Sequence, residues 1–381
     1  MNQKIRNGIL AVCFFAVVAV CWSNAPFRQA AAGAVRGGAA AFENAVSEAL
    51  PYRQELIDMN GWAARRMDMR GYFSDSGVYV GDGCYIMSAG KETSTDYEFE
   101  QVMALKEYLD GRGMKLLYVN EPTKYFDDSV FEKSFGKRSF VNRNADRLLA
   151  RIEEAGVPVL DLRQEAVDDG IDVHEMFYRT DHHWNTRAAL WATGKIAGAL
   201  NEYCGYDIDL SIYDPDRYTY RTWEKCWLGE QGRKLGVTYT GLDDFTEIKP
   251  DFPTDYTFKN SGDPFEGTFD DFIDESYYEN TGQEYGVVSW HYSYKQRDVI
   301  NHLSDQGNIF ILTDSYDQTT VPFLSLSVHE LDNLILRNYM GDIPSLIKNE
   351  DYDTVIICYA SFMIGAHDDP DSANYRMFSF M

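Results

Sequence analysis

Short apolar runs of strand length, separated by stretches with helical periodicity, constrain the fold of this 381-residue chain more than any other feature. Residues 114–120 (MKLLYVN) are a near-continuous apolar run that leads directly into Glu121. A run of this kind is typical of a parallel strand that is buried on both faces of its sheet. The other runs that we interpret as strands are 157–162, 308–312, 333–336 and 354–359.

Helical patterns fill much of the chain between these runs. Residues 97–112, 144–155 and 186–200 are predicted helices, and Asn185 or Thr186 is the expected N-cap of the last one. Strands that alternate with helices predict an α/β fold, in which an open, mostly parallel sheet is flanked by helices.

The first 25 residues differ from the rest of the chain. Lys4 and Arg6 precede an uncharged run at residues 8–22, GILAVCFFAVVAVCW. Positive charges before an apolar stretch predict that the N-terminus stays in the cytoplasm and that the remainder lies outside. The run is short for a membrane span, which needs roughly 17–25 residues, and it also has the length of a signal-peptide core. We expect an uncleaved membrane anchor, with a cleaved signal as the alternative.

The expected organisation has three parts: the signal or anchor at 1–25, a stalk and N-terminal segment at 26–95, and the α/β domain at 96–381. Within the domain, residues 242–284 hold 13 Asp or Glu and only 2 Lys or Arg. A segment of this length without clear periodicity indicates a solvated acidic insertion or a functional loop.

Charge and cysteine content exclude some functions. The formal net charge is -25, and a surface this acidic repels phosphate backbones, so nucleic acid is not an expected partner. No CxxC pattern is present, which excludes a zinc ribbon. Cys204 and Cys226 could pair outside the cell, whereas Cys358 lies in an apolar run and is expected to be an inert core thiol.

Two short segments carry groups that are suited to chemistry. The strand at 308–312 leads into Thr313, Asp314 and Ser315. Ligands of open α/β sheets bind beyond the carboxyl ends of strands, where the next helix offers N–H groups to an oxyanion. Serine needs a base held in one tautomer, and Asp181 with His183 has the spacing for a carboxylate to reach Nδ1. An Asp-His-His group could also bind a metal, but we expect none, because the other histidines are scattered.

Asp181-His182-His183-Trp184, preceded by an aromatic residue and Thr, resembles the signature of the DHHW protein family. That family is related to the alginate O-acetyltransferase-like SGNH hydrolases of the bacterial envelope, which implies an SGNH-hydrolase-like fold. Further matches are PYR at 51–53, EPTK at 121–124 and VPFL at 321–324. A strand-end Asp-Ser-Tyr at 314–316 follows the Asp-x-His-Trp pattern, in the family's order.

Carried onto this chain, the resemblance implies Ser315 as nucleophile, His183 as base and Asp181 as the group that orients it. Trp184 would pack beside the base. The family's Gly-Asn block is missing, and residues 289–293 stand where it is expected. Oxyanion donors are therefore open: Ser315 N–H is the first candidate and Gly229 the second. Lys124 and Trp184 are further candidates for substrate binding.

The implied function is an extracytoplasmic, serine-dependent O-acetyltransferase or acetylesterase that acts on an envelope or secreted polysaccharide through an acyl-serine. The resemblance implies no cofactor. It implies a membrane-bound O-acyltransferase partner that supplies acetyl groups. Two alternatives stay open: a catalytically silent glycan-binding protein that keeps the fold, and a structural component of a polysaccharide modification or export complex.

Overall fold

The computed structural model describes residues 19–34, 49–73, 77–259, 263–279 and 290–381. The described residues form two compact units, one of those up to residue 69 with 233–240, and one of those from 70 to 232 and from 241 to 381. No helix among the described residues is long and apolar enough to cross a membrane. Most of the expected anchor lies in residues 1–18, outside the described residues.

The element bounds agree with the predicted strands and helices of the α/β domain to within a few residues. The α-helices are α1 (Ala25–Ala34), α2 (Arg53–Arg66), α3 (Asp96–Asp110), α4 (Asp128–Phe135), α5 (Val141–Glu154), α6 (Leu162–Asp168), α7 (Val173–Met176), α8 (Thr186–Ala199), α9 (Glu230–Arg233), α10 (Val237–Thr240), α11 (Asp317–Leu324) and α12 (Ile343–Ile347). The strands are β1 (Gly71–Phe73), β2 (Val78–Val80), β3 (Ile86–Met87), β4 (Lys115–Glu121), β5 (Val159–Asp161), β6 (Tyr218–Trp227), β7 (Asp243–Pro250), β8 (Tyr256–Phe258), β9 (Phe265–Gly267), β10 (Val299–Asn301), β11 (Asn308–Thr313), β12 (Glu330–Ile335) and β13 (Thr354–Ala360).

The first unit contains α1, α2 and α10. Gly61 of α2 lies against the backbone of the other segment, since a Cβ at this position would be 2.3 Å from the Leu235 carbonyl oxygen. Asp58 is buried, and its Oδ1 accepts a 2.7 Å hydrogen bond from Val237 N–H at the start of α10. A glycine contact and a buried cap therefore join the two segments of this unit.

The second unit is built on an eight-stranded sheet of order β5-β4-β13-β11-β12-β10-β8-β9. The first five strands are parallel, and β10, β8 and β9 join them in antiparallel pairs. The sheet is therefore mixed rather than mostly parallel along its whole width. All seven residues of β13 are buried, as expected for a central strand covered on both faces.

The strands that make the sheet mixed come partly from the acid-rich segment 242–284, whose described residues do not form a solvated loop. This segment supplies β7, β8 and β9. Tyr256 and Phe258 are fully buried, as are Phe245 and Ile248 of β7. The aromatic and aliphatic residues pack inward between acidic neighbours, and the high acid content of the segment hid this pattern.

The fold brings both chemical segments to the carboxyl edge of the parallel strands. β11 ends at Thr313, and α11 begins at Asp317. On the other segment, the Asn185 side chain caps α8 by accepting a 3.0 Å hydrogen bond from Ala188 N–H. Residues 181–184 are thus held immediately before a buried helix.

The cysteines that the structure describes are all free, including Cys204 and Cys226. The pairing that their sequence positions left open is therefore not formed. Cys358 lies fully buried in β13, in the core position expected for it.

Candidate active site

Ser315 lies on a tight turn between β11 and α11 that Asp314 holds in place. Asp314 Oδ1 accepts a 2.7 Å hydrogen bond from Tyr316 N–H, and Oδ2 accepts one of 2.9 Å from Ala360 N–H at the end of β13. These bonds fix the serine beyond the end of β11. Ser315 itself is 9% exposed, and no described residue accepts a hydrogen bond from its N–H. The nucleophile position therefore has a backbone donor beside it that is not otherwise used.

His183 links Ser315 to Asp181 through two short hydrogen bonds. His183 Nε2 lies 2.8 Å from Ser315 Oγ, and Nδ1 lies 2.6 Å from Asp181 Oδ1. The backbone N–H of His183 also donates to Asp181 Oδ1, at 3.0 Å. With Nδ1–H donated to the carboxylate, Nε2 is left as the acceptor for the serine hydroxyl proton. The predicted contact between His183 and Ser315 is present, while their catalytic roles stay a prediction.

Asp181 is fully buried yet favours its ionised form. Burial would raise the pKa of this carboxyl, but the neighbouring imidazoles of His183 and His182 hold the pKa well below its usual range. Its second oxygen, Oδ2, accepts a 2.8 Å hydrogen bond from Glu230 N–H at the start of α9. The carboxylate is therefore suited to stabilise a positively charged His183 ring.

His182 lies beside this arrangement. Its ring centroid is 3.9 Å from that of His183, and its Nδ1 is 3.6 Å from Asp181 Oδ1. The ligand atoms of Asp181, His182 and His183 lie within 4.8 Å of one another. These distances suit a metal ion as well as a proton relay, so a metal stays an alternative for the Asp-His-His segment.

Lys124 has a different role from the substrate contact expected of it. Its side chain is buried, and Nζ donates to the carbonyl oxygens of Arg179 at 3.0 Å and Asp181 at 2.9 Å. Burial lowers the pKa of Lys124 to about 7, against the opposing effect of Asp243 and Asp181. The lysine fixes the loop that carries Asp181 and is not open to a substrate.

Gly229 and Trp184 also act on the scaffold of the site. Gly229 N–H donates to Thr180 Oγ1 at 2.8 Å, so it is not the second oxyanion donor. Trp184 is 2% exposed; its ring packs against Tyr316 at 5.6 Å, and its Nε1–H donates to the Tyr316 carbonyl at 3.0 Å. The tryptophan joins the two chemical segments instead of lining the site.

The site also contains residues that the sequence analysis did not identify. The His291 ring centroid lies 3.8 Å from that of His183, and neither His291 nitrogen has a hydrogen-bond partner among the described residues. Burial and the neighbouring His183 lower the pKa of His291 well below its usual range, so the ring is neutral. Burial raises the pKa of the nearby Tyr292, and Arg337 and the Ser315 side chain lie close enough to oppose that rise. The only feature of the sequence that pointed to His291 and Tyr292 is that residues 289–293 stand where the family's Gly-Asn block is expected.

The α/β sheet, with a serine at a strand end beside a hydrogen-bonded Asp-x-His pair, agrees with the SGNH-hydrolase-like fold expected from the sequence. Residues 82–270 match the family model described as the SGNH hydrolase-like domain of the acetyltransferase AlgX. The resemblance to AlgX-type SGNH hydrolase-like proteins that was inferred from the sequence is therefore confirmed over this part of the chain. The matched range includes Asp181 and His183 and ends before Ser315.

Solved structures show the same fold over most of the chain. Bacillus cereus PatB1, solved with a sulfonyl adduct, is 16% identical and has a TM-score of 0.61, covering 80% of this chain and 99% of its own. A DHHW family protein from Eubacterium siraeum is 18% identical and has a TM-score of 0.56, covering 78% of this chain and 94% of its own. The comparison with curated proteins gave no match. At these identities the likeness shows the fold alone.

Proposed function

We propose that the chain is a serine-dependent O-acyltransferase or esterase that moves acetyl groups on an envelope or secreted glycan through an acyl-Ser315 intermediate. The observation that carries this proposal is the continuous hydrogen-bonded chain from Asp181 through His183 to Ser315, at the carboxyl end of β11. The match to the family model of an acetyltransferase supports the acyl group and the transfer reaction.

In the proposed reaction, Ser315 Oγ attacks the carbonyl carbon of the acyl donor while its proton moves to His183 Nε2. Asp181 stabilises the charged imidazole, and Ser315 N–H donates to the oxyanion. Collapse of the intermediate expels the donor alcohol, which takes the proton from His183. A sugar hydroxyl or water then attacks the acyl-serine, and His183 accepts its proton and returns one to Ser315 Oγ.

The proposed location is outside the cytoplasm, at the cell membrane. Lys4 and Arg6 before the apolar run at 8–22 support this orientation. The acetyl donor in this proposal is supplied by a membrane-bound O-acyltransferase partner, and the acceptor is a polysaccharide. Both are consistent with an exported acyltransferase, whose reactants must be present on the same side of the membrane.

The test uses the full chain, a small acetyl ester and a fluorophosphonate that labels reactive serines. We expect ester turnover and labelling at Ser315, and loss of both in Ser315→Ala and in His183→Ala. The double variant should be little worse than either single one, because the groups act as a unit. The exposed Ser345 provides a matched control, and Ser345→Ala should keep wild-type rates.

Other outcomes would favour the alternatives. Equal losses in His182→Ala and His183→Ala, with activity restored by added metal, would indicate a metal site. A wild-type chain that shows neither ester turnover nor labelling would refute the enzyme and favour a glycan-binding protein.

A further inference from the structure

Residues 290–293, which stand in the place of the missing Gly-Asn block, are packed into the core beside the site. Trp290 is fully buried, and its ring lies 5.6 Å from Phe245 of β7 and 5.9 Å from Trp223 of β6. At the other end of the segment, Tyr278 and Ser293 share a 3.1 Å hydrogen bond. Anchors on both sides give the two residues between them, His291 and Tyr292, a defined position.

Tyr292 lies beside the serine that would attack the substrate. Its side chain is half-buried, and its ring centroid is 6.1 Å from that of His183. Burial raises the pKa of its hydroxyl, and the nearby Ser315 side chain opposes that rise. When Ser315 donates its proton to His183 Nε2, Oγ is free to accept from Tyr292. Its ring also lies 4.1 Å from the His291 ring, which packs on His183 in turn. The phenol is therefore a donor placed within reach of the reacting atoms.

Arg337 lies just beyond the carboxyl end of β12, the strand next to β11. Thr313 pairs with Ile335 in the parallel ladder of β11 and β12, so Ser315 and Arg337 each follow two residues after that pair. Arg337 is half-buried, and within the described part of the chain it makes no hydrogen bond or ion pair. Burial is the main reason that the pKa of Tyr292 is raised, while the charge of Arg337 opposes that rise. Tyr292 thus stays protonated at neutral pH, and a nearby cation makes its O–H a better donor.

We infer that Tyr292 is a catalytic residue of the acyl transfer proposed above: its hydroxyl donates to the oxyanion of the tetrahedral intermediate, beside Ser315 N–H. Arg337 is a positioning residue that acts through this hydroxyl. The inference rests on the proposed function and supplies the second donor that the sequence did not show.

The step conserves atoms and charge. A bond forms between Ser315 Oγ and the carbonyl carbon, the carbonyl π bond breaks, and its electron pair moves to the oxygen. The serine proton goes to His183 Nε2. Tyr292 donates its hydroxyl hydrogen bond to the new oxyanion and keeps its proton throughout, so it is a hydrogen-bond donor and not a general acid.

The test is Tyr292→Phe in the full chain, which keeps the ring and removes the hydroxyl. Loss of one oxyanion donor typically lowers kcat about 10²–10³-fold, and we expect a loss of this order with KM little changed. Labelling by the fluorophosphonate should slow as well, because the phosphonyl oxygen occupies the oxyanion position. The matched control is Tyr277→Phe: Tyr277 is also half-buried, its hydroxyl accepts from Lys295 at 3.3 Å, and its removal should leave the rate unchanged.

A second pair of variants tests how Arg337 acts. Arg337→Gln should lower kcat by less than Tyr292→Phe does, and Arg337→Lys should restore part of the loss. Added to Tyr292→Phe, Arg337→Gln should cause no further loss, because its effect passes through the hydroxyl that is already gone. Additive losses would overturn the role of Arg337.

The outcomes separate this inference from the proposed function. If Ser315→Ala is inactive and Tyr292→Phe keeps the wild-type kcat, Tyr292 is not a catalytic residue and the proposed function stands. If Tyr292→Phe lowers the melting temperature and raises KM with kcat unchanged, its role is structural, and the inference fails. If Ser315→Ala keeps its activity, the proposed function fails, and this inference fails with it.

Discussion

Replacing Lys124 by methionine tests how the loop that carries Asp181 is held, and the structure sets the size of the effect. Lys124 Nζ donates to two backbone carbonyls and lies 4.2 Å from the centre of the Tyr85 ring. Burial lowers its pKa from 10.5 to about 7. The folded chain therefore releases this proton at a much lower pH than the unfolded chain does.

The direction of the pH dependence of stability follows from the lowered pKa of Lys124 in the folded chain. Above about pH 7 the unfolded chain binds a proton that the folded chain has lost, so the stability contributed by Lys124 rises with pH. That contribution is complete above the unfolded pKa of about 10.4 and is lost as the pH falls through 7. Each pH unit in this window is worth about 1.4 kcal/mol, which gives about 2–3 kcal/mol between about pH 6 and pH 9.

Lys124→Met has no such titration, and at any pH it removes one hydrogen bond from each of two backbone carbonyls, at about 0.5–1.5 kcal/mol each. We therefore expect Lys124→Met to destabilise the fold by about 2–3 kcal/mol more at about pH 9 than at about pH 6. The assay is urea unfolding at the two pH values, with free energies taken by linear extrapolation.

Lys106 provides the control for Lys124. It forms a surface ion pair with Asp110 on α3, and Lys106→Met should change the free energy of unfolding by at most about 0.5 kcal/mol at either pH. The reasoning would be refuted by a Lys124→Met variant that is equally destabilised at both pH values, because Lys124 would then have an ordinary pKa in the folded chain.

Two further variants test the scaffold. In Gly229→Ala, the new Cβ would lie 2.5 Å from the Thr180 carbonyl and from Asp181 Cβ. Because of this clash, Glu230 N–H should shift away from Asp181 Oδ2. We expect a lower melting temperature and slower labelling by the fluorophosphonate, and wild-type values in both would contradict this. Burial and nearby acids raise the pKa of Glu121, so the wild-type chain should lose stability as the pH rises above the ordinary glutamate pKa. Glu121→Gln should reduce that loss, measured by urea unfolding at about pH 5 and pH 8. If the stability of wild type and variant changes equally between these pH values, the prediction is wrong.

Local patterns were sufficient for the parallel core. Runs such as 355–358 are apolar at every position, a composition typical of a strand covered on both faces, and β13 is buried throughout. The acid-rich segment could not be interpreted in this way. Its buried residues, such as Tyr256 and Phe258, are separated by polar ones, and their partners lie elsewhere in the chain, so charge content dominated the sequence signal.

The hydrogen-bonded core of the site was accessible because its spacing is local. Asp181 and His183 are two residues apart, and Ser315 follows a strand whose carboxyl end was predictable. Lys124 and Gly229 were assigned the wrong environment, because a sequence does not show whether a polar group faces a ligand or a buried carbonyl. Burial and hydrogen-bond partners decide this, and both depend on the packed structure.

The sequence by itself thus determined the parallel α/β core, the family resemblance, and the residues whose chemistry depends on near neighbours in the chain. Only the tertiary structure placed His291 on the face of His183 and Arg337 at the strand end next to Ser315. These contacts arise from the register of β11 with β12 and from the packing of Trp290 against Phe245 of β7. Because such contacts join residues far apart in the chain, no local periodicity or spacing encodes them, and they exist only when the sheet is assembled.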